Sequence, residues 1–386
     1  MHPVKNIDLF LHGAFLDERY SSNIIRIFGV QRTESLYLGV KYYCVIDTSR
    51  GQMKIRGKKY LVDEWPEHGK AKAVQIECNV TEAVDTMRLE MITRSKKIYE
   101  VFLPVERASE PNPSVGQQDL AVCVKNMNGA FPIERTVEWI ETLKAAGVQH
   151  FYIYDSGLDS SSRYVFDYYS DLVEVTNFPY SSALLRLSNI RYKIDSVERY
   201  SLLQHIYLIS FNDCLYRHYK QYKYLMIIDL DEMILPTKGL SIVRIVQDLA
   251  KNYKRNTGFT FLTAWHFEDM GMVQGITSQL YFQRFSKSSP PLDNQPKSII
   301  CTRNAELIQW HAVSKPANRN LKISWQEHGY THHFRGKCSS KFNKKTCNEM
   351  LSSYRIDPAI SRYKMVIKER VKRTLEQLQL IPNGGN

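Results

Sequence analysis

One ten-residue stretch limits what this 386-residue chain can fold into: Ile227 to Pro236, which reads I-I-D-L-D-E-M-I-L-P. The apolar run Tyr224–Ile228 precedes it and Met233–Leu235 closes it. Such a run predicts a strand buried on both faces, as in a parallel or mixed sheet flanked by helices. Three acids interrupt it: Asp229, Asp231 and Glu232. On a continuous strand Asp229 and Asp231 share one face, about 7 Å apart, and Glu232 faces away. An unpaired buried carboxylate costs several kcal/mol. A hard divalent cation removes that cost, and oxygen ligands suit Mg²⁺ or Mn²⁺. The carboxyl ends of strands are also where open α/β sheets bind ligands.

The period of the rest of the chain changes once. Residues 1–110 predict a β-rich, sandwich-like domain of short strands, with turns at Ser49–Gly51 and Arg56–Lys58. Residues 111–118 have the composition of a linker. From 119 onward strands alternate with helices: Leu120–Val124, a helix from Pro132 to Ala146, His150–Tyr154, a helix from Ser160 to Tyr169, and Leu172–Thr176. That alternation opens a doubly wound nucleotide-binding sheet. A long helix over Ser201–Tyr222 then leads to the acidic stretch, and Gly258–Leu262 and Gly329–Arg335 predict further strands. Residues 119–350 are thus expected to form an α/β domain, and 351–386 a charged helical tail.

Charge narrows the partners. The net charge is +12, which fits a nucleic acid, a lipid surface or a phosphorylated small molecule. No zinc finger or RNP box is present, so the small phosphate ligand is preferred over nucleic acid. No stretch approaches the ~18 apolar residues of a membrane span, and the start lacks a signal-peptide core. The seven cysteines show no C-x-x-C spacing, which argues against a zinc site and fits a few disulfides with one thiol left over.

Taken in order, several motifs resemble glycosyltransferase family 92. They are Ala14–Arg19, the unit from Glu138-Trp139-Ile140 to Tyr154-Asp155, Asn212–Leu215, Asp229–Glu232, Lys297–Ile300, His311 and His333-Phe334-Arg335. The resemblance spans roughly residues 8–350. It implies a GT-A fold and inverting transfer of galactose from UDP-galactose with Mn²⁺. It further implies a glycan acceptor, fucose-containing N-glycans among them, and a Golgi lumenal location behind an N-terminal anchor that this chain lacks.

Chemistry assigns roles within that frame. A metal on the diphosphate meets the charge that develops on departing UDP. Asp231 is the direct ligand, Asp229 lies on the metal or the ribose, and His333 and His311 compete as the third ligand. Arg335 and Lys297 are candidates for the diphosphate. Lys125, Asn126 and Asp155 at strand exits, with Asn212 and Asp213, are candidates for the nucleotide. Inversion needs a carboxylate base, for which Glu268 and Asp269 are candidates. Trp265 and Trp310 are candidates for stacking on acceptor sugars. Two other readings compete: a catalytically inactive carbohydrate-binding protein of the same fold, and a binder of phosphate backbones driven by the +12 charge.

Overall fold

The computed structural model describes residues 2–4, 7–35, 39–48, 51–63, 71–82, 84–178, 196–274, 280–310, 313–315 and 320–378. The chain is mixed α/β and forms two compact units. The first comprises Met1–Gln118, Asn177–Lys223 and Glu306–Trp310; the second comprises Asp119–Thr176, Tyr224–Ala305 and His311–Asn386.

The first unit is a closed barrel rather than the sandwich its sequence predicts. Its strands are β1 (His2–Val4), β2 (Leu9–Asp17), β3 (Asn23–Arg32), β4 (Lys41–Thr48), β5 (Gly51–Leu61), β6 (Ala71–Val80), β7 (Thr86–Ile92) and β8 (Ile98–Arg107). They run in the order β1-β2-β3-β6-β5-β4-β7-β8, and β8 returns to pair with β2, so seven strands close on themselves. The closing pair is parallel, Ala14–Leu16 against Val105–Arg107. Alternation along a strand is the same in a sandwich and a barrel, whereas closure rests on this long-range pair. Leu9, Leu11, Ile25, Ile27, Val74, Ile76, Leu89 and Met91 form its apolar core.

The sequence predicts a turn at Arg56-Gly57-Lys58, but these residues lie inside β5. Glycine is there for space. The Cys44–Cys78 disulfide links β4 to β6 past β5, and a Cβ on Gly57 would sit 3.2 Å from Cys78 Sγ and 3.1 Å from Ile76 Cγ2. The helix Ser196–His218 belongs to this unit and packs on β2, β3 and β6, not in the second domain to which its sequence position assigned it. Tyr216 lies 5.9 Å from Phe15 and 5.5 Å from Phe28, ring to ring, so these outward-facing strand residues are buried as well. Asp17, fully buried, accepts from Arg19 at 2.7 Å and from Arg26 at 2.9 Å.

The second unit holds one mixed sheet. Its strands are β9 (Gln118–Gly129), β10 (His150–Leu158), β11 (Val173–Asn177), β12 (Tyr222–Ile228), β13 (Glu232–Pro236), β14 (Gly258–Phe267), β15 (Leu292–Cys301), β16 (Asn320–Lys322) and β17 (Gly329–Arg335). The order is β11-β10-β9-β12-β15-β14-β17-β13, with β16 beside β14. β9 and β10 are parallel, as are β14 and β17, while β15 runs antiparallel to both its neighbours. The helices Ile133–Ala145 and Ser160–Tyr168 follow β9 and β10 as their periodicity predicts. Asp159 caps the second through Ser162 N. A helix over Pro358–Gln377 ends the described chain, its Ile360, Tyr363, Ile367 and Val371 joining the core of the sheet. Among the described residues no helix is long and apolar enough to cross a membrane.

The acidic stretch is not one strand. β12 ends at Ile228 between β9 and β15, the chain turns over Asp229–Asp231, and β13 leaves to pair with β17. Two bonds close the turn: Glu232 N donates to Asp229 O at 3.0 Å, and Asp229 N donates to Glu232 Oε2 at 2.9 Å. A side-chain carboxylate thus takes an amide that the ladder would otherwise use, and the apolar run breaks there.

The crowding at Gly57 makes a direct test. Gly57→Val should destabilise the barrel by about 1–3 kcal/mol, the usual penalty of overpacking, read as a lower thermal midpoint under non-reducing conditions. An unchanged midpoint would mean that β5 does not pass against the disulfide.

Candidate functional site

The turn between β12 and β13 gathers three carboxylates and three cations. Lys125, on β9, donates to Asp229 Oδ2 at 2.7 Å. Lys297, on β15, lies 2.8 Å from Glu232 Oε2 and 3.6 Å from Asp229 Oδ2. Arg335, at the end of β17, lies 3.3 Å from Asp231 Oδ2. Antiparallel pairing sets Glu232 opposite His333, and His333 Nδ1 approaches Glu232 Oε1 to 3.0 Å. The Trp139 indole donates to Glu232 O at 2.7 Å, fixing the start of β13 against the helix Ile133–Ala145.

Glu232 therefore faces into the cluster, contrary to the alternation of a single continuous strand. The turn at Asp229–Asp231 resets the phase, and Glu232 becomes the first residue of a new strand. It is fully buried, whereas the Asp231 side chain keeps 27% of its exposure. The two aspartates flank a tight turn and do not stand side by side on a pleat.

Charge explains how the acids stay ionised. Burial opposes ionisation of Asp229, but Lys125 and Lys297 more than offset it and hold its carboxyl down at about 2. Asp231 is only partly buried, and His333 and Arg335 beside it outweigh its loss of solvent and hold it well below the ordinary carboxylate range. The same attraction, working against burial, raises Lys125 and Lys297. For a depressed carboxylate such as Asp229, the stabilisation is present above its ordinary value of 3.8 and is lost as pH falls through about 2.

Hydrogen bonding assigns the tautomer of His333. Arg335 Nε donates to His333 Nε2 at 2.9 Å, so Nε2 carries the lone pair and Nδ1 the proton. Nδ1 is turned to Glu232, and Nε2 lies 3.6 Å from Asp231 Oδ2. Asp231, Glu232 and His333 bring ligand atoms within 4.8 Å of one another. Asp229 Oδ1 is buried without a hydrogen-bond partner among the described residues. Carboxylate oxygens and one imidazole lone pair fit a hard or borderline divalent cation.

The remaining candidates divide. Asn126 donates to Ser156 Oγ at 3.2 Å, and its Oδ1 is buried with no partner among the described residues, which leaves an acceptor at the strand exits. Asp155 caps its own loop, accepting from Gly157 N and Leu158 N at 2.8 Å and from Arg163. Glu268 is exposed and accepts from the Tyr281 hydroxyl at 2.6 Å. Burial and that bond push the Tyr281 phenol up, and Asp231 is near enough to add to the shift. Arg135 lies 3.9 Å above the Tyr281 ring. Tyr281 and Arg135 carry no motif, and only the fold brings them to Glu268. Asp269 instead accepts from Cys338 N at 2.9 Å, beside the Cys338–Cys347 disulfide.

Four candidates do not join the cluster as sugar or nucleotide contacts. Trp265 is fully buried and stacks on His333 at 4.3 Å, so it presents no face to an acceptor. Trp310, in the first unit, packs edge-on to Tyr207 and Phe211. Asn212 and Asp213 also belong to that unit: Asn212 holds Ile308 N and O at 2.9 Å, and Asp213 pairs with His12 and Arg217. They lie on the helix that left the second domain. His311 lies outside the described residues.

A family model described as glycosyltransferase family 92 matches residues 118–370. No curated protein matches the chain. Among solved structures, a glycosyl hydrolase family 2 member from Bacteroides cellulosilyticus is similar at 12% identity, over 44% of this chain and 25% of its own, with a TM-score of 0.17. A ferredoxin-NADP+ reductase from Plasmodium falciparum is similar at 9% identity, over 59% and 87%, with a TM-score of 0.15. The chain spans only a quarter of the first of these.

Lys297 supplies the clearest energetic test. Lys297→Met leaves the buried Glu232 without its cation and should cost about 3–5 kcal/mol of stability. The double variant Lys297→Met/Glu232→Gln should recover part of that loss in denaturant unfolding. Additive losses would show that the two groups do not interact.

Proposed function

This chain belongs to glycosyltransferase family 92, and on that premise we propose that it transfers a hexose, galactose by the family resemblance, from a UDP-sugar to a glycan. Membership makes it a glycosyltransferase with a nucleotide-sugar donor and a glycan acceptor. Transfer with inversion, a GT-A arrangement of the sheet, Mn²⁺ dependence and a Golgi lumenal setting as a type II membrane protein complete the proposal. The observation that carries it is the convergence of Asp229, Asp231 and His333 with Lys125 and Arg335 at one turn of the sheet.

Asp231 and His333 Nε2 would hold the ion, and Asp229, at the other end of the same turn, keeps its Oδ1 open as an acceptor. Bound there, Mn²⁺ would supply Lewis-acid neutralisation of the departing diphosphate. Glu232 Oε1 lies 3.0 Å from His333 Nδ1, on the side of the ring away from Arg335. Arg335, 43% exposed, has a planar fork free to turn from Asp231 to a diphosphate oxygen. Lys297 is committed to Glu232 and holds the acids in place; it is not a diphosphate ligand in this scheme. Asn126 Oδ1 offers an acceptor to uracil or ribose.

Glu268 is the preferred base over Asp269, because Asp269 is occupied by a backbone amide. As base, one Glu268 oxygen takes the acceptor hydroxyl's proton while the Tyr281 hydroxyl holds the other. The new glycosidic bond forms as the bond from the sugar to UDP breaks.

UDP release from UDP-galactose, measured with Mn²⁺ and with EDTA, tests the scheme. Wild type should release UDP only with metal, and Asp231→Asn should lose at least about 10²-fold in rate. Wild-type turnover undiminished by EDTA would exclude the metal, and no turnover with any UDP-sugar would favour the inactive carbohydrate-binding reading. Glu232→Gln should weaken Mn²⁺ about 10–100-fold as an orienting group. Glu268→Gln should lower transfer about 10²–10⁴-fold while leaving UDP affinity unchanged. Equal loss of UDP binding in that variant would assign Glu268 to the donor pocket.

A further inference from the structure

A second group of potential metal ligands lies in the same sheet, and the mechanism does not use it. His266 is the next-to-last residue of β14, His332 sits on β17, and Asp357 caps the helix Pro358–Gln377. All three are buried, His332 and Asp357 fully so and His266 to 1%. His332 and His333 are consecutive on a strand, so their side chains leave opposite faces. The cluster is therefore separate from the one around Asp231.

Three lone-pair atoms converge there. His266 Nε2 is 3.1 Å from His332 Nδ1, His332 Nδ1 is 3.3 Å from Asp357 Oδ2, and His266 Nε2 is 3.8 Å from Asp357 Oδ2. A tetrahedral zinc with ligands at ~2.0–2.1 Å sets its corners ~3.3–3.4 Å apart. The three separations bracket that spacing. Ser288 Oγ, also fully buried, donates to Asp357 Oδ2 at 3.4 Å.

The outer contacts have the form that metal ligands take. His266 Nδ1 faces the carbonyl of Phe285 at 3.3 Å, which leaves Nε2 as the lone-pair nitrogen. The Tyr330 hydroxyl donates to Asp357 Oδ1 at 2.7 Å, and Ala359 N donates to the same oxygen at 2.9 Å, so Oδ2 is the oxygen turned inward. Rings are fixed as well: His266 stacks on Phe334 at 4.2 Å and His332 lies 4.5 Å from Tyr330.

Without a cation, one proton on His332 Nδ1 has to serve both His266 Nε2 and Asp357 Oδ2, which are 3.8 Å apart. A cation at the centre satisfies all three atoms at once. His332 Nε2 has no partner among the described residues in either state, so it does not discriminate between them. Two imidazoles with oxygen donors suit Zn²⁺ better than an all-oxygen ion such as Mg²⁺.

We propose that His266, His332 and Asp357 hold a structural zinc ion that ties the C-terminal helix to β14 and β17. The site is closed to solvent and takes no part in sugar transfer. Its failure would leave the glycosyltransferase reading untouched, because it shares no ligand with that site.

The test is metal content of the natively purified chain after exhaustive dialysis. Wild type and Asp231→Asn should each retain one zinc per chain, whereas His266→Ala and His332→Ala should lose it. Should those variants fail to fold, Co²⁺ substituted into wild type should give the visible absorption of a tetrahedral site, displaced by Zn²⁺. Zinc-free wild type whose thermal midpoint does not respond to added Zn²⁺ would overturn the proposal. So would zinc that survives in His332→Ala but is lost in Asp231→Asn.

Discussion

Neutralising three carboxylates inside a sheet is the constraint around which the second unit is arranged. Asp229, Asp231 and Glu232 fall within four residues, and Glu232 is fully buried. Each has a cation from elsewhere in the chain: Lys125 from β9, Lys297 from β15, Arg335 from β17. Those strands must lie around the turn for the acids to remain charged, so electrostatics and sheet order depend on one another. The mixed pairing follows. β12 and β13 are consecutive in sequence yet occupy different places in the sheet, and the acid-bearing turn is the hinge between them.

The cluster is matched, three charges against three, but the cations are not equivalent. Lys297 is buried and bound to the acids, while Arg335 is 43% exposed. A buried ammonium fixed between Asp229 and Glu232 suits holding the turn. A guanidinium at the surface is free to exchange a protein carboxylate for a ligand anion. Cations on two strands of one sheet thus differ in burial, one enclosed among the acids and one open to solvent.

A different economy governs the first unit. Its interior is largely aliphatic and crossed by one disulfide. There the Asp17–Arg19–Arg26 network and the aromatic group of Phe15, Phe28 and Tyr216 join the strands to the helix Ser196–His218. Residues of the Ala14–Arg19 and Asn212–Leu215 motifs serve packing in this unit. A stretch that resembles a family motif therefore marks what the fold needs as readily as what the chemistry needs.

Much of this was legible in the chain itself. Period and punctuation determine the β-rich start, the alternating strands and helices from Leu120 to Asn177, and the terminal helix, because those patterns reflect local burial. The acids at the end of an apolar run are conspicuous for the same reason: a buried charge has to have a partner. Tertiary structure alone decided barrel over sandwich, since closure rests on pairing Ala14–Leu16 with Val105–Arg107 across the domain. It also decided that Glu232 faces His333, because a turn shifts side-chain phase in a way that alternation cannot anticipate. The choice of Lys125, Lys297 and Arg335 as partners, the burial of Trp265, and the meeting of His266, His332 and Asp357 are likewise contacts between distant residues. Local pattern says which side chains need partners. Which partners they find depends on how far-apart segments are brought together.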